Sequence, residues 1–211
     1  MPVPFPPMQR PLVAILRGVK PAETEAIVGA LLDAGMTAIE IPLNSPEPFR
    51  SIEIAAKQAP RDVLIGAGTV LTTDDVDRLH GVGGRLMVSP NVDPDVLARA
   101  GHHGMVTMPG VFSPTEALLA LKSGASSLKF FPASVLGAAG ITAIRAVLPP
   151  DAMIAAVGGV SEKNFAEYIK AGIRAFGMGS SLYKPGMTAA DVAGRAKLTV
   201  EAYDSAVQGA S

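Results

Sequence analysis

The stretch MIAAVGGVSEKNFAEYIKAGIRAFGMGS, residues 153–180, contains the pattern that decides the fold. Two short apolar runs, Met153–Gly159 and Ala175–Ser180, flank a more polar segment whose expected end is Gly172. Each run has the length of a buried strand, and the segment between them is long enough for a helical crossover. The stretch therefore predicts two parallel strands joined by a helix.

Six similar apolar runs precede this stretch. They are Leu12–Leu16, Ala38–Leu43, Leu64–Thr69, Leu86–Pro90, Met105–Pro109 and Ser127–Pro132. Segments with helical spacing lie between them, such as residues 22–34, where the apolar side chains form one stripe. Eight strand–helix units predict an α/β protein with a closed TIM (β/α)8 barrel, and a doubly wound open sheet is the alternative.

Proline, glycine and capping residues punctuate these units. The expected helix starts are Pro21, after the first strand, and the N-caps Asp93 and Ser113, and the expected stops are Gly35, Gly101, Gly124 and Gly172. No linker interrupts the pattern, so residues 1–211 are expected to form a single barrel domain. Residues 1–11 read as an N-terminal extension, and residues 188–211 as the closing helix and tail.

The composition excludes several classes of function. The 211 residues carry 18 Lys plus Arg against 19 Asp plus Glu, so we expect neither nucleic acid nor an anionic membrane as partner. The absence of cysteine excludes disulfides, thiolate metal sites and a cysteine nucleophile. The chain shows no signal-peptide pattern and no long apolar span, and a cytoplasmic location is expected.

The active site of such a barrel lies at the carboxyl ends of its strands. Polar residues and glycines late in each apolar run are therefore the candidates. They are Arg17, Glu40, Asn44, Thr69, Ser89, Asn91, Lys129, Gly158–Ser161 and Gly179–Ser181.

Strand alternation directs two ionisable residues into the barrel. Leu128 and Phe130 share one face of their strand and leave Lys129 on the other, and Ile39 and Ile41 do the same for Glu40. A desolvated lysine has a lowered pKa, and its neutral amine attacks a ketone to form a Schiff base. A nearby carboxylate can then transfer the protons. The alternative is an interior ion pair without chemistry.

Glycine-rich ends of the seventh and eighth runs indicate a phosphate site. Residues 157–161 read VGGVS and residues 177–181 read GMGSS, and backbone amides at this position of a TIM barrel commonly bind phosphate. Ordinary tight turns are the alternative. Thr69 could hold a substrate carboxylate, and Arg17 could bind a carboxylate or phosphate, orient Glu40, or form a surface salt bridge.

No metal or cofactor is expected. His80, His102 and His103 fall in helices or at helix ends, and no inward cluster of carboxylates accompanies them.

Taken together, these segments resemble the KDPG and KDPGal aldolase family of class I aldolases. The motifs that carry the resemblance are ILRG, IEIPLNSP, GAGTV, SPN, MPGVFSPTE, LKFFPA and VGGV. The resemblance implies that Lys129 is the Schiff-base lysine and Glu40 the proton donor and acceptor. It also implies substrate contacts from Arg17, Thr69, Gly159, Gly179 and Ser180, and a homotrimer.

The segment after the glutamate strand points to one branch of this family. The gluconate branch typically has Leu-Arg-Thr there, whereas Leu43–Pro46 reads LNSP, which is similar to the galactonate branch. The expected reaction is cleavage of 2-dehydro-3-deoxy-6-phosphogalactonate to pyruvate and D-glyceraldehyde 3-phosphate. The alternatives are cleavage of the gluconate epimer, a phosphate-binding isomerase barrel, and a non-catalytic barrel that binds sugar phosphates.

Overall fold

The computed structural model describes residues 2–210 and has nine parallel strands in one sheet. The strands are β1 (Leu12–Ile15), β2 (Ala38–Pro42), β3 (Leu64–Gly68), β4 (Leu86–Val88), β5 (Val106–Met108), β6 (Gly110–Val111), β7 (Leu128–Phe130), β8 (Ile154–Val157) and β9 (Ala175–Met178). Their order is β5-β4-β3-β2-β1-β9-β8-β7-β6.

The ring of strands is continuous through Pro109. This residue alone separates β5, which pairs with β4, from β6, which pairs with β7. Because proline has no backbone N–H to donate, it interrupts the ladder without ending the strand. The nine strands are thus eight strand units that form a TIM-type barrel, as predicted, and the open-sheet alternative is wrong.

Helices alternate with the strands around the outside. They are α1 (Pro21–Asp33), α2 (Pro48–Gln58), α3 (Thr73–Gly81), α4 (Pro94–His102), α5 (Pro114–Lys122), α6 (Ala133–Arg145), α7 (Phe165–Lys170) and α8 (Ala189–Gln208). None of these helices in residues 2–210 combines the length and apolarity needed to cross a bilayer.

Most of the predicted helix boundaries are confirmed. Pro21 begins α1, the Asp93 carboxylate accepts hydrogen bonds from the first turn of α4, and the Ser113 hydroxyl accepts one from Glu116 N–H. The glycines at 35, 124 and 172 have φ of +84°, +84° and +83°, the left-handed conformation that follows a helix. Gly101 was the wrong stop, because it lies inside α4 and Gly104, with φ of +68°, has that conformation instead.

The alternation of side chains along the strands separates two cores. Ile39, Ile41, Leu128 and Phe130 belong to the larger one, which includes residues from the helices. The smaller one lies inside the barrel and consists mainly of inward residues near the strand starts, including Val13, Ala38, Leu64, Leu86 and Ala155. Glu40 and Lys129 therefore face the barrel interior, as predicted.

The N-terminal segment closes the lower end of the barrel. Val3, Phe5 and Met8 pack against the smaller core, at the amino ends of the strands. Pro11 O accepts a hydrogen bond of 2.9 Å from Phe176 N–H on β9. Of the expected extension, Met1 lies outside the described residues, and the rest covers the end opposite the carboxyl ends of the strands.

Candidate active site

Glu40 lies on β2, between Ile15 of β1 and Gly66 of β3. Its side chain is buried, with 4% exposure, and within residues 2–210 its Oε2 has no hydrogen-bond partner. Gly68 makes this placement possible, because a Cβ at Gly68 would overlap the Glu40 carboxylate. A buried carboxylate oxygen without a partner is costly and marks a place where a bound group can supply the missing hydrogen bond.

Lys129 lies on β7 between two small residues, Gly110 of β6 and Ala155 of β8. Its side chain is 7% exposed, and its Nζ lies 5.1 Å from the centroid of the Phe131 ring. The hydroxyl of Ser127, which shares the inward face of this segment, is also buried without a partner in the described chain. The amine is therefore held in a largely dry, weakly polar part of the barrel.

Burial shifts both ionisable groups toward neutrality. Desolvation raises the pKa of Glu40 to about 7, although the positive charges of Lys129 and Arg17 oppose the rise. Desolvation lowers the pKa of Lys129 to about 8, while the charge of Glu40 opposes this and that of Arg17 adds to it. Near neutral pH the site thus contains an accessible neutral amine and a carboxyl group able to give or take a proton.

The interior ion pair considered from the sequence does not form. Across residues 2–210, Glu40 and Lys129 make neither a salt bridge nor a hydrogen bond with each other. Their charges nevertheless influence each other's pKa, so the two groups belong to one site.

Arg17 follows β1 at the mouth of the barrel. Its Nη1 donates a hydrogen bond of 2.7 Å to Oδ1 of Asn44, a residue in the loop after β2. In the described part of the chain, Arg17 makes no salt bridge, so the surface ion pair considered for it is absent. Its guanidinium remains available to an anion.

A cavity of about 400 Å³ opens beside Arg17, and neither Glu40 nor Lys129 is among the residues that line it. Its lining includes four of the predicted binding residues, Arg17, Gly159, Gly179 and Ser180. Gly159 has a φ of +79°, and a Cβ there would overlap Ser134 at the start of α6, so only glycine fits. The two glycine-rich loops and the arginine therefore border a common space.

Thr69 is the remaining predicted binding residue. It follows β3 and has a φ of +57°, a left-handed conformation that is unfavourable for a β-branched residue. It does not line the cavity, but it lies immediately after Gly68, the residue that accommodates the Glu40 carboxylate. Strain of this kind is concentrated at functional sites.

Several residues that the sequence suggested for the active site instead form hydrogen bonds that involve the loop backbone. The Ser89 hydroxyl donates to Asn91 O at 2.7 Å, and neither residue lines the cavity. Ser161 N–H donates to the Asn164 side chain at 3.0 Å, and the Ser181 hydroxyl donates to Val160 O at 3.1 Å. The bonds of Ser161 and Ser181 hold the two glycine-rich loops in place.

Six further residues that the sequence had not suggested line the cavity. They are Ile15, Gly18, Phe131, Tyr183, Lys184 and Pro185. The inward parity of their strands could have identified Ile15 and Phe131. Tyr183 and Lys184 lie in the loop beyond β9, where no strand period applies. Pro185 of this loop rests against Gly18, where an added Cβ would come within 2.7 Å of the Pro185 ring.

The histidines lie apart from this site, at the ends of α3 and α4. His103 Nε2 lies 2.7 Å from Asp77 Oδ1, and the His103 ring stacks on His80 at 4.2 Å between centroids. In residues 2–210, no group of three or more histidine or acidic side chains is arranged to hold a metal ion.

Comparisons with known proteins identify relatives of the whole chain. The family model for KDPG and KHG aldolase matches residues 8–198. A probable 2-dehydro-3-deoxy-6-phosphogalactonate aldolase of Rhizobium meliloti is 70% identical over 98% of each chain. The Escherichia coli 2-dehydro-3-deoxy-6-phosphogalactonate aldolase is 47% identical over 94% of this chain and 97% of that protein. A native KDPGal structure matches with a TM-score of 0.94 and 46% identity, over 96% of this chain and 98% of that one.

Replacement of Gly68 by alanine tests the packing around Glu40. The added methyl group displaces the carboxylate, so reaction of the Lys129 amine with a probe ketone, pyruvate, should slow by about tenfold or more. The rate is measured by borohydride trapping and mass spectrometry, with circular dichroism to verify folding. Gly29→Ala is the matched control, because no atom lies within 4 Å of a Cβ at that site on α1. An unchanged rate in folded Gly68→Ala would contradict the view that the position of the Glu40 carboxylate affects the reaction of Lys129.

Proposed function

The chain belongs to the KDPG and KHG aldolase family, and we propose that it is a class I aldolase acting on a phosphorylated 2-keto-3-deoxy sugar acid. The substrate is 2-dehydro-3-deoxy-6-phospho-D-galactonate, and the products are pyruvate and D-glyceraldehyde 3-phosphate. The observation that carries the mechanism is the buried Lys129 amine, whose pKa is lowered to about 8 and which shares the barrel interior with Glu40.

Lys129 begins and ends the catalytic cycle. Its neutral Nζ adds to the C2 ketone, and loss of water converts the carbinolamine into an iminium ion. When the C3–C4 bond breaks, its electron pair forms the C2=C3 double bond of the enamine, the C2=N π pair moves onto nitrogen, and the deprotonated C4 oxygen forms the aldehyde carbonyl. Protonation of C3 and addition of water then release pyruvate and restore the amine. Because the iminium accepts the electrons, this route needs neither a metal nor a cofactor.

Glu40 moves the protons. As a carboxylate it removes the proton of the C4 hydroxyl, which allows C3–C4 cleavage and release of the aldehyde. As an acid it donates a proton to enamine C3, and it assists the dehydration of the carbinolamine. A pKa of about 7 suits both tasks, because each protonation state is well populated near neutral pH.

The two anionic ends of the substrate match two parts of the site. Arg17 and Thr69 bind the C1 carboxylate near Lys129, at the mouth of the barrel. The loops with Gly159, Gly179 and Ser180 bind the phosphate through backbone N–H groups and the serine hydroxyl. Phosphate binding aligns C2 and C4 with the catalytic groups, so unphosphorylated analogues should lose rate as well as affinity.

Two observations favour the galactonate epimer. The relatives with 70% and 47% identity are both named for this substrate, and the LNSP segment at Leu43–Pro46 resembles the same branch. We place the reaction in the cytoplasm, since a substrate with a carboxylate and a phosphate does not cross membranes unaided.

The active form is proposed to be a homotrimer, as the family resemblance implies. An apolar surface is available for association on one side of the barrel. Its exposed side chains are Phe112, Leu118 and Leu119 around α5 and Val135 on α6, the next helix of the barrel. Exposed apolar groups gathered in this way favour burial against another subunit.

The first test of this function is reductive trapping. Incubation with pyruvate and sodium borohydride should add a reduced pyruvyl group to Lys129, located by peptide mapping, and Lys129→Ala should remain unmodified. The trapping rate should rise with pH through about 8 and level above it, because the neutral amine predominates only above its pKa. An unperturbed lysine would continue to gain rate toward pH 10.5. No adduct on folded protein would refute the Schiff-base mechanism.

The epimer preference is tested by the initial rates of cleavage of the two substrates. The galactonate compound should give the larger kcat/KM, by about tenfold or more, because one or two contacts distinguish a single stereocentre. Pyruvate release is followed with lactate dehydrogenase. An equal or larger kcat/KM for the gluconate epimer would overturn the substrate assignment and leave the aldolase mechanism standing.

The oligomer is tested by sedimentation equilibrium. The unaltered chain should sediment at three times its mass of 21.6 kDa. Leu118→Lys should dissociate the assembly by placing a charge in the apolar surface around α5. Leu198→Lys is the control, because Leu198 is exposed on α8, outside that surface. A monomeric unaltered chain, or dissociation by Leu198→Lys alone, would contradict the proposal.

A further inference from the structure

Asn44 holds the side chain of Arg17. Its Oδ1 accepts a hydrogen bond of 2.7 Å from Arg17 Nη1. Among the described residues, this is the one side-chain hydrogen bond of Arg17, which is exposed at the mouth of the barrel. An arginine side chain has many rotamers, and fixing one of them costs conformational entropy. A single acceptor therefore decides where this guanidinium points.

The backbones of the two loops are fixed independently of this bond. The buried Ser45 hydroxyl accepts a hydrogen bond of 2.9 Å from Gly18 N–H, and Glu40 O accepts one of 3.0 Å from Leu16 N–H. These contacts join the end of β1 to the end of β2 on both sides of Arg17. Loss of the Asn44 side chain should leave the loops in place and free only the guanidinium.

The direction of the guanidinium matters to the site. Arg17 lines the cavity, and its positive charge acts on both Glu40 and Lys129, whereas Asn44 does not line the cavity. A neutral amide accepts the hydrogen bond without cancelling the charge, as a carboxylate at this position would. The arginine can therefore be oriented and still attract an anion.

We propose that Asn44 is a positioning residue, whose hydrogen bond orients Arg17 toward the C1 carboxylate of the keto acid. The inference rests on the proposed aldolase function, and it gives Asn44 a role through Arg17 with no contact to the substrate. The Asn44–Arg17 hydrogen bond therefore affects binding of the sugar acid and of pyruvate alike, since both compounds carry this carboxylate.

The experiment is a double-mutant cycle on reductive trapping. Asn44→Leu keeps the side-chain volume and removes the acceptor, so the pyruvate concentration for half-maximal trapping should rise about fivefold, the equivalent of one hydrogen bond. The trapping rate at saturating pyruvate should change by less than about twofold. In an Arg17→Ala background, the same Asn44 substitution should have no further effect.

A second ketone and a control variant separate orientation from damage to the fold. Trapping of acetone, which lacks a carboxylate, should be equal in Asn44→Leu and the unaltered protein. Gln208→Leu is the control, because Gln208 carries an exposed amide at the end of α8 and does not line the cavity. Its half-maximal pyruvate concentration should be unchanged.

The outcomes distinguish this inference from the proposed function. No pyruvyl adduct on Lys129 of the unaltered protein would refute the aldolase mechanism itself. Normal trapping with an unchanged half-maximal pyruvate concentration in Asn44→Leu would overturn the positioning role alone. An additive effect in the Arg17→Ala background, or slower trapping of acetone, would also overturn it, since Asn44 would then act by another route.

Discussion

Desolvation of the Lys129 amine is the constraint on which the site depends. An ammonium ion loses its hydration inside the barrel, and the Phe131 ring and the Glu40 carboxylate, with which it forms no salt bridge in the described chain, replace little of it. This cost lowers the pKa of Lys129 to about 8, so a larger fraction of its amine is neutral near pH 7 than in an exposed lysine. The same burial raises the pKa of Glu40 to about 7, so one physical cause acts on both proposed catalytic groups.

Small residues in the upper barrel keep space around these two groups. Gly68 accommodates the Glu40 carboxylate, Gly110 lies beside Lys129, and Gly177 lies beside Val157, where an added Cβ would come within 2.6 Å of the Val157 side chain. The lower part of the barrel has no such space, because larger apolar side chains and the N-terminal segment fill it. One end of the barrel therefore supplies stability, and the other leaves room for a substrate.

The site charges are arranged so that attraction of an anion does not depend on ionised catalytic groups. Arg17 carries its charge at the mouth, held by the neutral Asn44, while the two glycine-rich loops border the same cavity. A charged partner for Arg17 would offset its attraction for an anion and alter the pKa of both buried groups. The loop after β2 is therefore linked, through Arg17, to the proposed catalytic groups on β2 and β7.

The sequence alone determined the eight strand units, the inward direction of Glu40 and Lys129 and most helix boundaries, because strand alternation and capping are local and regular. It misplaced the stop at Gly101, since the length of α4 depends on packing. Only the tertiary structure decided that Arg17 meets Asn44 across 27 positions, that Lys184 lines the cavity, and that the N-terminal segment closes the lower barrel. These contacts join segments distant in sequence, and no local periodicity encodes them.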